Sequence, residues 1–157
     1  MPTAVRTRVD HLAIARDYAR KPQSWPVTPQ FDAINRWYAC LADDLDAQIW
    51  LLTWLPGQHT DLHDHGGSAG AFVVVSGAIT ETTVTESLAG QALTDDVIAA
   101  GGGRRFPGNH VHRMANAGRR PAISIHVYGP ALETMNRYEL AGRGLRRIAT
   151  DRAGVAW

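Results

Sequence analysis

The sequence predicts a mostly β domain, an antiparallel barrel or two-sheet jelly roll behind short N-terminal helices. Three observations carry that expectation. Short apolar or alternating runs recur from Gln48 to about Pro130. Glycine and proline, 15 and 8 in number, punctuate them. No helix-period segment separates one run from the next, so the strand-helix alternation of a parallel sheet is missing. With 157 residues, 45% of them hydrophobic and 20% charged, the chain has the size and composition of one globular domain. That domain is expected over 1–157, with a helical part at about 1–45 and the barrel at about 48–150.

Taken in order, Leu12, Ala15 and Ala19 mark the apolar side of a short helix over His11 to Arg20. KPQSWPVTP is then a loop, because Pro22 and Pro26 forbid a continuous helix. Thr28 can cap and Pro29 fits a first turn; Phe31, Ile34, Tyr38 and Leu41 then fall at helical spacing, which predicts a second helix from Pro29 to about Leu41. IWLLTWLPG is an aromatic and apolar strand that stops at Pro-Gly. GAFVVVSG is β-branched and bounded by glycine, AITETTVTE alternates as a half-exposed strand does, and AISIHVYG alternates again after the turn-rich GGGRRFPG. The tail YELAGRGLRRIAT reads as a hairpin around Gly142 and Gly144, with a short helix over Leu132 to Tyr138 as the competing reading.

Charge excludes some partners. Sixteen Lys and Arg against 15 Asp and Glu leave a net charge of +1, which gives no reason to expect a nucleic acid or a membrane surface. Lys21 is the single lysine, so Schiff-base chemistry is set aside. Cys40, the single cysteine, cannot form an internal disulfide and is expected to be a small buried hydrophobe. Charges interrupt every apolar run of MPTAVRTRVDHLAIARDYAR before a signal-peptide core or membrane span can form, so a cytoplasmic location is expected.

Of seven histidines, His11 stands apart and the other six fall between His59 and His126. In His63-Asp64-His65 the two imidazoles sit at i and i+2. On an extended chain they share a face about 6–7 Å apart, close enough to converge on one metal. Alone, such a pair is equally an exposed strand end. A second segment, FPGNHVHRMAN, brings His110, His112 and Asn116, and can return a third ligand to the same interior. Ser124, His126 and Tyr128 also alternate along one strand, either as a hydrogen-bonded relay ending in a phenol or as a satisfied polar strand face. Trp37, Trp50 and Trp54 are expected in the core, Trp54 as a possible pocket wall, while His11 and His59 are expected to be solvated.

The spacing joins these segments. Gly57, five residues, His63-x-His65 and later Gly77 are followed by Gly101, five residues, Pro107, and His112 three residues before Asn116, which is the cupin pattern. With HDHGGSAGAFVVVSG, HRMAN and SIHVYGP, the stretch from about Tyr38 to Pro130 resembles the cysteine dioxygenase family of thiol dioxygenases within the cupin superfamily. The resemblance implies a cupin jelly-roll barrel holding one Fe(II) on His63, His65 and His112. It implies a small-molecule thiol as substrate, O2 as co-substrate and a sulfinate as product. The family's Ser-x-His-x-Tyr element is matched by Ser124, His126 and Tyr128, and the spacing from Pro107 and to Asn116 favours His112 over its rival His110.

The chain departs from the family in three places. Where cupins usually add a carboxylate after the second histidine, it has Ala69 and Gly70. A neutral triad leaves a divalent metal its full double charge, which suits capture of a thiolate. In animal members the position matching Gly70 is a cysteine joined to the active-site tyrosine, so Tyr128 is expected as an unmodified phenol. The family arginine that clamps the substrate carboxylate lies two residues after a tyrosine, where Tyr38-Ala39-Cys40 has Cys40, or Ala39 in a shifted alignment. Arg36, Arg104, Arg105 and Arg113 are the alternatives.

Three functions follow: a thiol dioxygenase acting on cysteine or a related thiol carboxylate or aminothiol, a non-catalytic metal- or ligand-binding module, and a zinc or nickel isomerase or hydrolase. A reporter module would be expected to carry an output segment beyond the barrel. An isomerase would be expected to present a carboxylate base, and alternation points Asp64, the nearest carboxylate in sequence, away from the metal.

Overall fold

The structure is a computed structural model that describes residues 8–154; residues 1–7 and 155–157, the ends of the expected domain, lie outside the described residues. The elements are α1 (His11–Ala19), a 3-10 turn (Pro22–Ser24), and eleven strands: β1 (Tyr38–Asp43), β2 (Gln48–Trp54), β3 (Leu62–His63), β4 (Ala69–Ser76), β5 (Ala78–Ser87), β6 (Gly90–Ala99), β7 (Gly103–Phe106), β8 (His112–Ala115), β9 (Ala122–Gly129), β10 (Thr134–Ala141) and β11 (Gly144–Arg152). They form two antiparallel sheets, one in the order β1-β2-β9-β4-β7 and the other in the order β11-β10-β3-β8-β5-β6. This is the mostly β jelly roll that the strand runs predict.

The central strands β2, β9 and β4 of the five-stranded sheet are buried on both faces, which explains why they read as nearly continuous apolar runs. Ile49, Leu51, Ala71, Val73, Ile125 and Val127 face Leu12 and Ala15 of α1. The alternate residues Leu52, Trp54, Phe72, Val74 and Tyr128 face the barrel interior, with Ile79, Ile98, Phe106 and Met114. Ser124 and His126 lie in register with Leu52 and Trp50 of β2, so β9 turns a polar alternate set into that interior. Helix α1 starts where Asp10 accepts a hydrogen bond from the Ala13 amide (3.1 Å). Arg105 holds the same carboxylate at 3.0 Å.

The predicted second helix does not form. Residues 26–37 are an irregular strap, and Tyr38 and Leu41 belong to β1. The Asp32 side chain takes the amides of Ile34 (2.7 Å) and Asn35 (3.1 Å), the local bonding by which aspartate competes with a helix. Thr53 donates its hydroxyl to the Gln30 carbonyl (2.6 Å) and its amide to the Trp37 carbonyl (3.0 Å), anchoring both ends to β2. Ile34 is 89% exposed, so the helical spacing of its apolar residues was coincidence. The helical part is accordingly shorter than about 1–45.

Cys40 is exposed rather than buried, because β1 is an edge strand and bulges between Cys40 and Ala42. The tail forms the predicted hairpin, β10 with β11, and the competing helix over Leu132 to Tyr138 is excluded by that pairing. Trp54 is fully buried, whereas Trp37 and Trp50 are half-buried against the cores. His59 is exposed as expected, and His11 is half-buried against Gly129. Among the described residues no helix is long and apolar enough to cross a membrane.

Candidate metal centre

The site is built where the two sheets close over their interior. His63 ends β3 and pairs in register with His112, the first residue of β8. His65 lies two residues beyond β3, in a turn that the Ser68 amide closes onto the His65 carbonyl (3.0 Å). Asp64 between them points the other way, as alternation predicts. Its carboxylate accepts hydrogen bonds from the Gly66 amide (3.0 Å), the Asn136 amide (2.9 Å) and side chain (2.9 Å), and the Tyr138 hydroxyl (2.7 Å). These bonds outweigh the effect of burial and hold its pKa down. Asp64 thereby fixes the turn that presents both imidazoles.

The three rings converge. Ring centroids are 5.0 Å apart for His63 and His65, 4.8 Å for His63 and His112, and 5.0 Å for His65 and His112. One ligand nitrogen from each lies within 4.8 Å of the others, and all three residues are buried. The tautomers follow from the partners. His63 Nδ1 lies 2.8 Å from the Asp61 carbonyl, which only accepts, so Nδ1 carries the proton and Nε2 keeps its lone pair. His112 Nδ1 lies 2.7 Å from Glu81 Oε2 and is protonated for the same reason. Both ring nitrogens of the buried His65 lack a hydrogen-bond partner among the described residues. Each such orphan costs about 1–3 kcal/mol. A divalent metal on the three imidazoles would occupy one of them, so the donor set fits such an ion.

Burial keeps these imidazoles neutral, the form a metal requires. Burial first, then the neighbouring His112, holds His63 and His126 down at about 3, and Arg36 adds to both. His65 is pushed well below its ordinary value by burial and by His112 and His63. In Glu81, burial raises the carboxyl pKa, but the hydrogen bonds from His110 and His112 outweigh it and leave it at about 2. Glu81 is thus an ionised carboxylate orienting His112 through its outer nitrogen, the arrangement found around metal-binding histidines.

Glu81 escaped sequence reading, although a signal existed. On β5 it shares a face with Ile79, so the alternation of AITETTVTE places a carboxylate inside the barrel. His110, the rival ligand, belongs to this outer layer. Its Nε2 lies 3.3 Å from Glu81 Oε2 and its ring stacks on Phe106 at 5.4 Å, outside the triad that His63, His65 and His112 form. Glu81, His110 and His112 make a second cluster with ligand geometry, sharing His112 with the first.

Ser124, His126 and Tyr128 are all buried on one face of β9. Ser124 Oγ lies 2.8 Å from His126 Nε2 and accepts a hydrogen bond from the Trp54 indole at 2.9 Å. A hydroxyl accepts and donates at once, so Ser124 links the Trp54 indole to the His126 imidazole. Trp54 therefore starts the relay that the sequence began at Ser124. The His126 and Tyr128 rings lie nearly parallel, 6.4 Å apart at 26°. Burial raises the Tyr128 phenol above its usual pKa, so it stays protonated.

A cavity of about 350 Å³ opens onto His63 and His112 of the triad, with His126, Tyr128 and Arg36 in its wall and Leu52, Met114 and Met135 as its apolar part. Such volumes are typical of small-molecule sites. Asp61 and Asp151 at its rim both hold Arg137, at 3.1 and 2.6 Å.

Fold and site together define a cupin, a double-stranded β-helix barrel with an imidazole cluster at its interior. The chain belongs to the cysteine dioxygenase type I family, which it matches over residues 6–141, a longer stretch than the motifs alone cover. Its fold is similar to that of a double-stranded β-helix protein from Klebsiella pneumoniae (18% identity, TM-score 0.57, 90% of this chain and 98% of that one). A protein from Thermus thermophilus is similar as well (18% identity, TM-score 0.55, 79% and 98%). So is a cupin-superfamily sugar phosphate isomerase from Silicibacter pomeroyi (17% identity, TM-score 0.56, 86% and 92%). At these identities the likeness is one of fold.

Proposed function

We propose that the protein is an iron(II)-dependent thiol dioxygenase that converts a small thiol R–SH and O2 into the sulfinic acid R–SO2H. The observation that carries the proposal is the buried imidazole triad, with His65 unpartnered among the described residues and His63 and His112 lining a cavity whose wall also holds His126 and Tyr128. Membership of the cysteine dioxygenase type I family supports the same reaction class. His63, His65 and His112 would hold the iron, which when bound supplies a site for thiolate and O2 and the electrons that activate O2.

The chain's own residues do the rest. The Asp61 carbonyl and the Glu81 carboxylate keep the Nδ1 protons of His63 and His112 in place, so that both Nε2 lone pairs face the centre. Trp54 and Ser124 fix the orientation of His126. Tyr128, protonated at neutral pH, is a hydrogen-bond donor for the substrate in the cavity. Leu52, Met114 and Met135 exclude water from one wall. An isomerase reading has less support, because the carboxylates around the cavity are engaged: Asp61 and Asp151 by Arg137, and Glu81 by His110 and His112.

The test is O2 uptake by anaerobically iron-loaded protein with cysteine, cysteamine, 3-mercaptopropionate and other small thiols, with the product identified by mass. One sulfinate per O2 consumed is expected with at least one thiol. Metal-loaded protein that consumes no O2 with any of them would overturn the proposal.

A further inference from the structure

The cavity wall itself contains sulfur, the element that the proposed reaction oxygenates. Of the three methionines in the chain, Met1 lies outside the described residues and the other two, Met114 and Met135, both line the cavity. The remaining sulfur among the described residues, that of Cys40, is exposed on the edge strand β1, away from the lining. Leucine is close to methionine in volume and fills such a wall without a reactive atom, as Leu52 does here.

The strands put each thioether beside a metal-ligand position. Met114 follows His112 by two residues on β8, where burial alternates, so both side chains turn into the barrel interior. Met135 precedes Arg137 by two residues on β10, and Arg137 stands in register with His63. Side chains two apart on a strand share a face about 6–7 Å apart, a gap that a long, flexible methionine partly spans. Both residues are shielded from bulk water, Met114 at 1% exposure and Met135 at 8%. The cavity is therefore the way by which a small oxidant reaches either sulfur.

We propose that Met114 and Met135 are oxidation sites of this cavity, each converted to the sulfoxide when an oxidant enters the iron-loaded site with no thiol in place. The proposal rests on the reading of the triad as an iron site, since zinc exchanges no electrons. The step balances with either of two oxidants. With O2, the O–O bond breaks and one oxygen goes to each of the two sulfurs; the two thioethers together give up the four electrons that O2 takes, so no further reductant is needed. With hydrogen peroxide, one oxygen goes to sulfur and the other leaves as water. A sulfoxide is polar, and Met114 belongs to an apolar cluster with Ile79, Ile98 and Phe106, none of which has a side chain that donates a hydrogen bond. Oxidation thus loosens the core beside His112 and lowers the stability of the fold.

The test treats iron-loaded and zinc-loaded protein of measured metal content with a few equivalents of hydrogen peroxide, without thiol, and weighs the peptides after digestion. Each methionine peptide should gain one oxygen at least about tenfold faster with iron than with zinc, after scaling to Cys40, whose exposed thiol reports oxidation from the bulk. Equal rates with the two metals, or a rise only in step with Cys40, overturn the proposal, as does a protein that takes up no iron. In a second measurement the iron-loaded wild type should lose several degrees of melting temperature on treatment, whereas a protein carrying both Met114→Leu and Met135→Leu should lose none. Equal loss in both overturns the link to stability, and each single substitution, measured in the same way, keeps the comparison if the double variant does not fold. If no thiol is oxygenated but the methionines oxidise with iron, the dioxygenase reading falls and the oxidation sites stand. Thiol turnover without methionine oxidation keeps that reading and removes these sites.

Discussion

Removing Glu81 should weaken metal binding without touching a ligand. Its carboxylate takes two hydrogen bonds: His112 Nδ1 at 2.7 Å, within the range for a charged pair, and His110 Nε2 at 3.3 Å, just outside the usual N–H···O range. The effect should therefore act through His112. A hydrogen bond to a charged group contributes about 1.5–3 kcal/mol, and 1.36 kcal/mol is a factor of ten, so Glu81→Ala should loosen the metal by about tenfold to a hundredfold. Part of that reaches folding as well, because the Nδ1–H of His112, a side chain 1% exposed, loses its acceptor; relief from burying a carboxylate offsets some of it. The assay is competition for Zn2+ or Co2+ against a coloured chelator, with the cobalt spectrum as a check on ligand geometry. Glu81→Gln, which keeps an acceptor oxygen but no charge, should fall between Ala and wild type, and Glu86→Ala on the exposed end of the same strand should bind normally. A Glu81→Ala protein that holds metal as tightly as wild type would refute the argument that this carboxylate orients His112.

His63→Ala, His65→Ala and His112→Ala should each abolish metal retention, whereas His110→Ala should keep it, because His110 lies with Glu81 outside the triad. Metal analysis of the four purified proteins decides, and loss in His110→Ala with retention in His112→Ala reverses the assignment. Tyr128→Phe should leave fold and metal content intact and lower turnover per bound metal by about tenfold to a thousandfold, the range for one positioned donor; turnover unchanged per metal would remove the phenol from the chemistry. Gly70→Ala should lower the melting temperature by several degrees, since an added Cβ would lie 2.1 Å from the Val127 carbonyl and 2.7 Å from the Phe106 ring. An unchanged melting temperature would show that β4 and β9 separate at little cost.

What the sequence made legible was local. Alternation in AISIHVYG and the glycine bounds of GAFVVVSG mark β9 and β4, because strand periodicity is a property of neighbouring residues. The triad was legible for the same reason: two short segments keep their ligands at fixed spacing. The strap was not. Phe31, Ile34, Tyr38 and Leu41 have helical spacing, and nothing near them shows that Thr53 will take the Gln30 and Trp37 carbonyl groups from β2. Glu81, and the hydrogen bond from Trp54 to Ser124, were missed similarly, since the partners His112 and Ser124 lie on other strands. Of Arg36, Arg104, Arg105 and Arg113, which the sequence leaves level, the fold brings only Arg36 into the cavity wall.

Gly70 has a role beyond excluding a crosslink. The three imidazoles of the triad are oriented by different means: His63 and His112 by hydrogen bonds to their outer nitrogens, and His65 by packing alone. Phe106 stacks on His65 at 4.7 Å and 24°, and Tyr128 lies on it at 5.1 Å and 36°. Gly70 stands in register with both of these residues, opposite Tyr128 on β9 and Phe106 on β7. A side chain there would take the space that Phe106 uses to reach the imidazole. A cysteine at this position would thus do more than offer sulfur to the tyrosine. It would displace one of the two rings that hold His65, and without a hydrogen bond on either nitrogen that imidazole would be left to Tyr128 alone. The uncrosslinked phenol of Tyr128 and the ring-clamped third imidazole are two consequences of one missing Cβ.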